Sequence, residues 1–494
     1  MNSAAMTSVG IFAVFMLVSV ALGLLSLRGR DRTNLAEWSV GGRSLGTVLI
    51  FVLMAGETYT SFSYLGAAGW AYDYGMPVFY LLAYLAIGFA AGYVIGPVLW
   101  DYAHRNNLHN ITDIASHRFR APWLGAVLAV VTTVFLLPYI QLQITGMGVV
   151  VSTISYGSIS LSTGYVIAFV IAEAFIILSG LRGSAWVSVL KDGLAIVTLL
   201  VVFVYVPVHY FGGFGSMLDR IVAERPQWLV LPGQGKKSLG MLWFATTGLL
   251  NGVVYTIFPT TVAGYLGARN PQVLRRNAVI MPFYQVLLFV PILLGLAALF
   301  VVPGLGDSNS AMFRLVVDSM PAWLVGLVGV AGALSSIVPM AVFMLVIGTM
   351  WGTSVLGAHP RTASRRKQLS QLVTFLVGLL ALVFTFVSPS TLVQLSVLSY
   401  QGLAQLLPVV LVSLVWRKMS AVGAISGLAT GIAVVSALVA GVHDPWHGIN
   451  AGVVGLAANV AVNIAVSLIR PADTPAERLA RGELAEPGSL ARSQ

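Results

Sequence analysis

The chain has 494 residues, 57% of them hydrophobic and only 9% charged, with a mean hydropathy of +0.89. A water-soluble fold of that make-up would lack polar surface, so an all-α polytopic membrane protein is expected. The net charge is +10, and there is no cysteine, which excludes disulfides and thiolate metal sites. The scattered histidines form no HExxH pair, which leaves no zinc site of that kind, and no nucleotide-binding loop or catalytic constellation marks an enzyme.

At about 20 apolar residues per crossing, the chain reads as about thirteen spans. They fall at 5–27, 45–69, 76–101, 123–150, 161–181, 184–209, 239–266, 277–302, 321–350, 368–387, 389–416, 419–441 and 448–469. The first span is no signal peptide: MNSAAMTSVG has no basic residue, and Arg28, Arg30 and Arg32 come after it. Basic loops then alternate. Arg118, Arg120, Arg275, Arg276 and Arg365-Arg366-Lys367 share the Arg28 side, whereas the other side holds Arg220, Arg225, Lys236, Lys237 and Arg314. The positive-inside rule therefore gives N-out and C-in in a cell membrane. The basic charge reports orientation, and no nucleic-acid partner is implied. The longest outside loop is 210–238, and 471–494 reads as a cytoplasmic tail.

Span two contains LMAGETYTSFSYLG (53–66). Thr60, Ser61 and Tyr64 follow Glu57 at i+3, i+4 and i+7, a polar stripe on a helix that Gly56, Gly66 and Gly69 weaken. A broken helix at membrane depth is tolerated where it lines a cavity, and its freed carbonyls suit a cation or small solute. The alternative is close helix packing. In span three, Gly88, Gly92 and Gly96 carry no polar group and read as helix packing. Span four offers Pro138, Tyr139, Gln141 and Gln143.

Intramembrane charge marks function by default, and Glu57, Glu173, Lys191 and Asp192 all fall in spans. Glu173 stands alone in FVIAEAFIIL, where pairing with a neighbouring helix is the plain alternative. Lys191 and Asp192 point about 100° apart on a helix and need not pair. Span seven carries Thr246, Thr247, Asn251, Tyr255, Thr256 and Pro259. In span nine, AGALSSIVPM (331–340), Pro339 frees the Ser335 carbonyl beside two hydroxyls, a second interrupted helix. Span eleven has Gln394, Ser399, Tyr400, Gln401, Gln405 and Pro408.

Taken in order, VGGRSLG (40–46), GETYTSFSYLGAAGWAY, ITDIASHRFRAP (111–122), GLRGSAWVSVLKD (180–192), GYLGARNP (264–271) and the Ser335-Ser336 pair resemble the sodium:solute symporter family. The resemblance covers nearly the whole chain. It implies a LeuT-like fold of two inverted five-helix repeats, at 45–209 and 239–416. An extra first helix and cytoplasmic loop (1–44) and two extra helices (417–470) would flank them. It implies Na+ held by backbone carbonyls of Gly56 and Tyr59, the carbonyl of Gly332 and the hydroxyls of Ser335 and Ser336. An ungapped match from Ala55 shifts the first two by one. Solute-binding or coupling candidates are Glu57, Thr60, Ser61, Tyr139, Gln143, Lys191, Asn251, Tyr255, Tyr400 and Gln401.

One departure from the family is informative. Where the family often has Trp-Thr-Asp, this chain has Trp186-Val187-Ser188, with Lys191-Asp192 one turn on. The lysine can stand in for the cation and couple to protons, attract an anionic solute, or partner Glu57. The combined motifs look most like the branch carrying short monocarboxylates such as acetate, propionate, pyruvate or lactate. Symport of such a solute with Na+ or H+ is the expectation. A proline, other amino-acid or pantothenate-like solute is the alternative, and a transporter-like membrane sensor is a reading from another class.

Overall fold

Local sequence breaks the second span. A computed structural model describes residues 2–25, 41–235, 239–356, 363–388, 390, 392–441 and 443–471. Arg28, Arg30 and Arg32, the pair Lys236-Lys237 and residues from 472 on lie outside the described residues. Eleven helical stretches are long and apolar enough to cross a bilayer. A pair bent by 52°, Thr47–Thr58 with Phe62–Tyr74, adds a twelfth, and the shorter apolar segment Leu161–Ile176 corresponds to the fifth predicted span.

In chain order the helices begin with α1 (Ser3–Leu25), α2 (Thr47–Thr58), α3 (Ala67–Tyr74) and α4 (Tyr80–Arg105). Next come the short loop helix α5 (Ile111–Phe119), then α6 (Pro122–Ile154) and α7 (Leu161–Phe211). The 51 residues of α7 would run roughly 75 Å, far beyond the roughly 30 Å of one crossing, so it holds both the fifth and sixth predicted spans. A short α8 (Phe214–Glu224) precedes α9 (Met241–Tyr255), α10 (Pro259–Gly267), α11 (Pro271–Gln285) and α12 (Phe289–Val301). Then follow α13 (Ala311–Val317), α14 (Ala322–Met350), α15 (Ala363–Val387), α16 (Leu392–Leu403), α17 (Ala421–Ala440) and α18 (Ala451–Ile469), with Ser413–Val415 closing the eleventh span.

The core is organised around α14, in which every residue from Ala331 to Met350 is buried. It packs against α1, α6, α7 and α15, as a helix apolar on all sides must. That enclosure overturns one expectation. Pro339 does not interrupt span nine: α14 runs unbroken from Ala322 to Met350. A proline removes one backbone hydrogen bond, and packing on every face holds the rod together around that loss.

The second interruption falls in span seven. There α9 ends at Tyr255 and Pro259 opens α10, with Phe258 extended between them (φ −55°, ψ 130°). Proline suits a first helical position, where its missing N–H has no intrahelical partner anyway. The broken helices are thus the first of each expected repeat. The glycine stripe of α4 seats their neighbours closely. A Cβ on Gly88 would lie 2.9 Å from the Tyr255 ring, and one on Gly92 would lie 2.7 Å from the Tyr265 hydroxyl.

Candidate cation and solute site

The α2 break exposes backbone oxygen in the protein interior. Tyr59 caps α2 at φ −91°, ψ 78°, and the chain re-enters helix through a π-turn, Phe62–Gly66. Side chains take up part of the disrupted ladder. Ser63 donates its hydroxyl to the Thr58 carbonyl, Thr60 Oγ1 accepts from Phe62 N at 3.1 Å, and Gln143 Oε1 accepts from Ser61 N at 3.3 Å. From α11, Gln285 donates to Thr58 Oγ1 at 2.7 Å.

The carbonyls of Gly56 and Tyr59 are taken by a lysine. Lys191, fully buried, donates from Nζ to Gly56 O and to Tyr59 O, each at 3.0 Å. Its third contact is Asp192 Oδ1 at 2.9 Å. Two of the ammonium's N–H donors thus go to backbone oxygens, and its charge is paired with the aspartate. The adjacent lysine and aspartate do pair, because the lysine's four-carbon stem lets its head fold back to a carboxylate that points elsewhere. Gly56 permits the approach, since a Cβ there would lie 2.8 Å from Ser188 Oγ and 3.5 Å from Lys191 Nζ. Glu57 is not the partner of Lys191. The residue is 8% exposed, both oxygens are buried with no geometric hydrogen-bond partner, and the Thr260 hydroxyl faces the carboxyl.

From α14, Ser336 Oγ donates to Gly332 O at 3.1 Å and meets Ser61 Oγ at 2.5 Å, which ties α14 to the break. Ser335 Oγ is buried without a partner. An aromatic box lies alongside. Tyr139 packs edge-on against Phe258 and Phe343 at centroid distances of 5.5 and 4.9 Å, and Phe258 stacks on Tyr400 at 5.0 Å. Asn251 and Tyr255 keep their polar atoms unpartnered nearby in α9. A ladder of rings through Tyr84, Tyr80, Trp243 and Trp70 leads from Tyr400 to a cavity of about 200 Å3. Trp70, Tyr74, Trp243, Gln394, Gln401 and Asp444 are among the residues that line it.

Comparison with known proteins identifies this arrangement. The sequence profile described as "SSF: Sodium:solute symporter family" matches residues 38–431. The chain belongs to the sodium:solute symporter family. It is 38% identical to the Bacillus subtilis "Uncharacterized symporter YhjB" over 433 residues, 86% of this chain and 87% of that one. A "Monocarboxylate transport permease protein" of Rhizobium johnstonii is 25% identical, covering 95% of this chain and 98% of the relative. The Escherichia coli "Sodium/pantothenate symporter" is 24% identical across 84% and 87%. A Na+-coupled sialic acid symporter, solved substrate-bound and outward-open, superposes with a TM-score of 0.75 at 14% identity, covering 95% of this chain and 98% of that one. The fold is therefore LeuT-like, and the chain is a multi-pass transporter of the cell membrane.

Within this symporter, the structure gathers Gly56, Glu57, Tyr59, Thr60, Ser61, Gln143 and Lys191 around the α2 break, with Gly332, Ser335 and Ser336 on the facing α14. Tyr139 and Tyr400 share the box, and Asn251 and Tyr255 stand beside it. Gln401 is not brought to the centre. It donates to Asp444 Oδ2 at 2.9 Å and to Asn450 Oδ1 at 3.2 Å, at the outer cavity. Glu173 does not pair with a neighbouring helix: both its oxygens lack a partner, and the carboxyl sits against Gly378.

On the side expected to face the cytoplasm, contacts that sequence reading passed over join distant segments. Leu45 N donates to Gly267 O at 3.1 Å and Arg269 N to Leu45 O at 3.0 Å, joining the segment before α2 to the end of α10. Asn110 Nδ2 donates to Thr353 Oγ1 at 3.0 Å, and the hydroxyls of Thr112 and Ser354 meet at 2.6 Å. Beside them, burial raises the Asp113 carboxyl above its ordinary pKa and lowers His109 below its own. The signal available in sequence was the ITDIASHRF stretch alone; its partner Thr353-Ser354 is far away along the chain.

Proposed function

We propose that this symporter carries a small carboxylate-bearing solute, a short monocarboxylate first, coupled to a proton on Lys191 instead of Na+ at the Gly56 and Tyr59 carbonyls. The observation that carries the coupling is the lysine's place. Its ammonium holds the two oxygens that the family resemblance assigns to sodium. A second monovalent cation there would face like-charge repulsion in a low-dielectric interior. Loss of the lysine's proton removes the charge from those carbonyls, so protonation can favour one conformation of the α2 break over another. The solute class rests on two relatives named for monocarboxylate and pantothenate, both carboxylates. The aromatic box fits a small organic body.

One observation favours Na+ as the second reading: Ser335 Oγ is buried and unpartnered on α14, the helix that the family resemblance assigns to hydroxyl ligands. Proteoliposome uptake of labelled acetate, propionate, pyruvate and proline separates the two. An imposed inward proton gradient accelerates uptake under the proposal, and a Na+ gradient at constant pH does not. Acceleration by Na+ alone would return the site to sodium.

A further inference from the structure

We infer that Gln401, Asp444, Asn450 and Thr247 form a latch that holds shut the outer path to the aromatic box. The inference rests on the box being the solute's place, and it goes beyond that reading by naming what gates entry. Between the outer cavity and the box stand the rings of Trp243 on α9, Tyr80 and Tyr84 on α4, and Tyr400 on α16. A solute passes only when these helices part. Gln401 follows Tyr400 directly, and Thr247 lies one turn beyond Trp243. One side chain bridges the two. Asn450 Oδ1 accepts from Gln401 Nε2 of α16 at 3.2 Å, and Asn450 Nδ2 donates to Thr247 Oγ1 of α9 at 3.0 Å.

The loop before α18 supplies the rest. Asp444 accepts from Gln401 Nε2 at 2.9 Å and, through its other oxygen, from Ala451 N at 3.1 Å. Asn450 Oδ1 also accepts from Gly452 N at 2.8 Å, which caps α18. The start of α18 is wedged between the two helices: a Cβ on Gly452 would lie 2.6 Å from Leu250 Cδ2 and 2.9 Å from Gln401 Cα.

This geometry tolerates little movement. A hydrogen bond is lost beyond about 3.5 Å, so parting α9 from α16 by about 1 Å breaks one end of the Asn450 bridge. Asn450 and Thr247 are fully buried and Gln401 is 1% exposed, so their freed polar atoms favour reclosure. Asp444 is only part-buried and lines the outer cavity. Water entering there can take its place on Gln401. The network therefore biases a balance between a shut and an open path. Releasing Gln401 also frees the helical turn that carries the Tyr400 ring.

The test reads the path and needs no solute, so it stands apart from the solute reading. The chain has no cysteine, and Ser396→Cys adds a single thiol at a site that is 1% exposed and beside Tyr139. A membrane-impermeant sulfonated maleimide is applied to right-side-out and to inverted vesicles. Added to this parent, Thr247→Val and Gln401→Met should each raise the outside labelling rate about fivefold, the scale of one hydrogen bond. The two bonds act in series on Asn450, so the double variant should label little faster than either single one. Thr247→Ser keeps the hydroxyl and should label at the parental rate, which preserves the test if Gln401→Met fails to fold. Labelling from the inside should not rise. An unchanged outside rate would overturn the latch, and so would a rise from both sides, the mark of a generally loosened fold.

Discussion

Lys191 Nζ lies 3.0 Å from the carbonyl oxygen of Gly56, across the contact between α7 and α2. This one hydrogen bond joins a chain break in the second span to the buried ion pair of the sixth. Removing the ammonium strands Asp192, which is 4% exposed, as an unpaired buried charge. Lys191→Met should therefore cost about 3–5 kcal/mol of stability and abolish proton-driven uptake. The double variant with Asp192→Asn should recover most of the stability but none of the coupling. Thermal unfolding in detergent and gradient-driven uptake measure the two separately. Recovery of proton-driven uptake in the double variant would rule the lysine out as proton carrier.

Gly56→Ala tests the close approach. The added methyl would sit 2.8 Å from Ser188 Oγ, an overpacking worth about 1–3 kcal/mol. Combining it with Ser188→Ala removes the closest atom and should restore part of the loss. Additive effects in the double-mutant cycle would mean that the two side chains do not meet.

The serine pair of α14 should separate by role. Ser336→Ala breaks the bonds to Gly332 O and Ser61 Oγ and should cost about 1 kcal/mol. Ser335→Ala removes a hydroxyl with no partner and should leave stability within about 0.5 kcal/mol of wild type. Thermal denaturation of the purified variants reads both. A larger loss for Ser335→Ala than for Ser336→Ala would contradict the contacts described.

The cytoplasmic side should respond to pH in two opposing ways. His109, lowered by burial, contributes stability above its ordinary pKa of about 6.5, and that stability is lost as pH falls through the lowered value. Asp113, raised by burial, contributes below the ordinary carboxylate range near 3.9, and its contribution is lost as pH rises through the raised value. Acidification from pH 7.5 to 5 should therefore loosen this side in Asp113→Asn, where only His109 acts. In His109→Gln it should tighten it. Hydrogen exchange of the α5 amides reports the opening; identical pH profiles in the two variants would refute the assignment.

Much of the fold was legible because a bilayer imposes a long, local pattern. Each span must be apolar over about 20 residues, and loop charge then orients the series. Glycines at 88, 92 and 96 read correctly as a packing stripe, although nothing local says that Tyr255 and Tyr265 fill it. The break at Gly56–Thr60 was visible from glycines and hydroxyls. The second break was misplaced, because Pro339 is the more conspicuous signal in sequence. Its helix survives only through packing on all faces, which one strand of sequence cannot display.

The sequence by itself determined a multi-pass helical transporter, the first broken span and the set of polar residues within it. Only the tertiary structure decided which of those residues meet. Lys191 and Gly56 stand far apart along the chain, and a lysine's long stem can reach several acceptors with similar ease. Whether it reached Glu57, a solute or the backbone depended on how α7 packs on α2. The absence of a side chain at Gly56 permits that packing, and Glu57 is left facing the Thr260 hydroxyl.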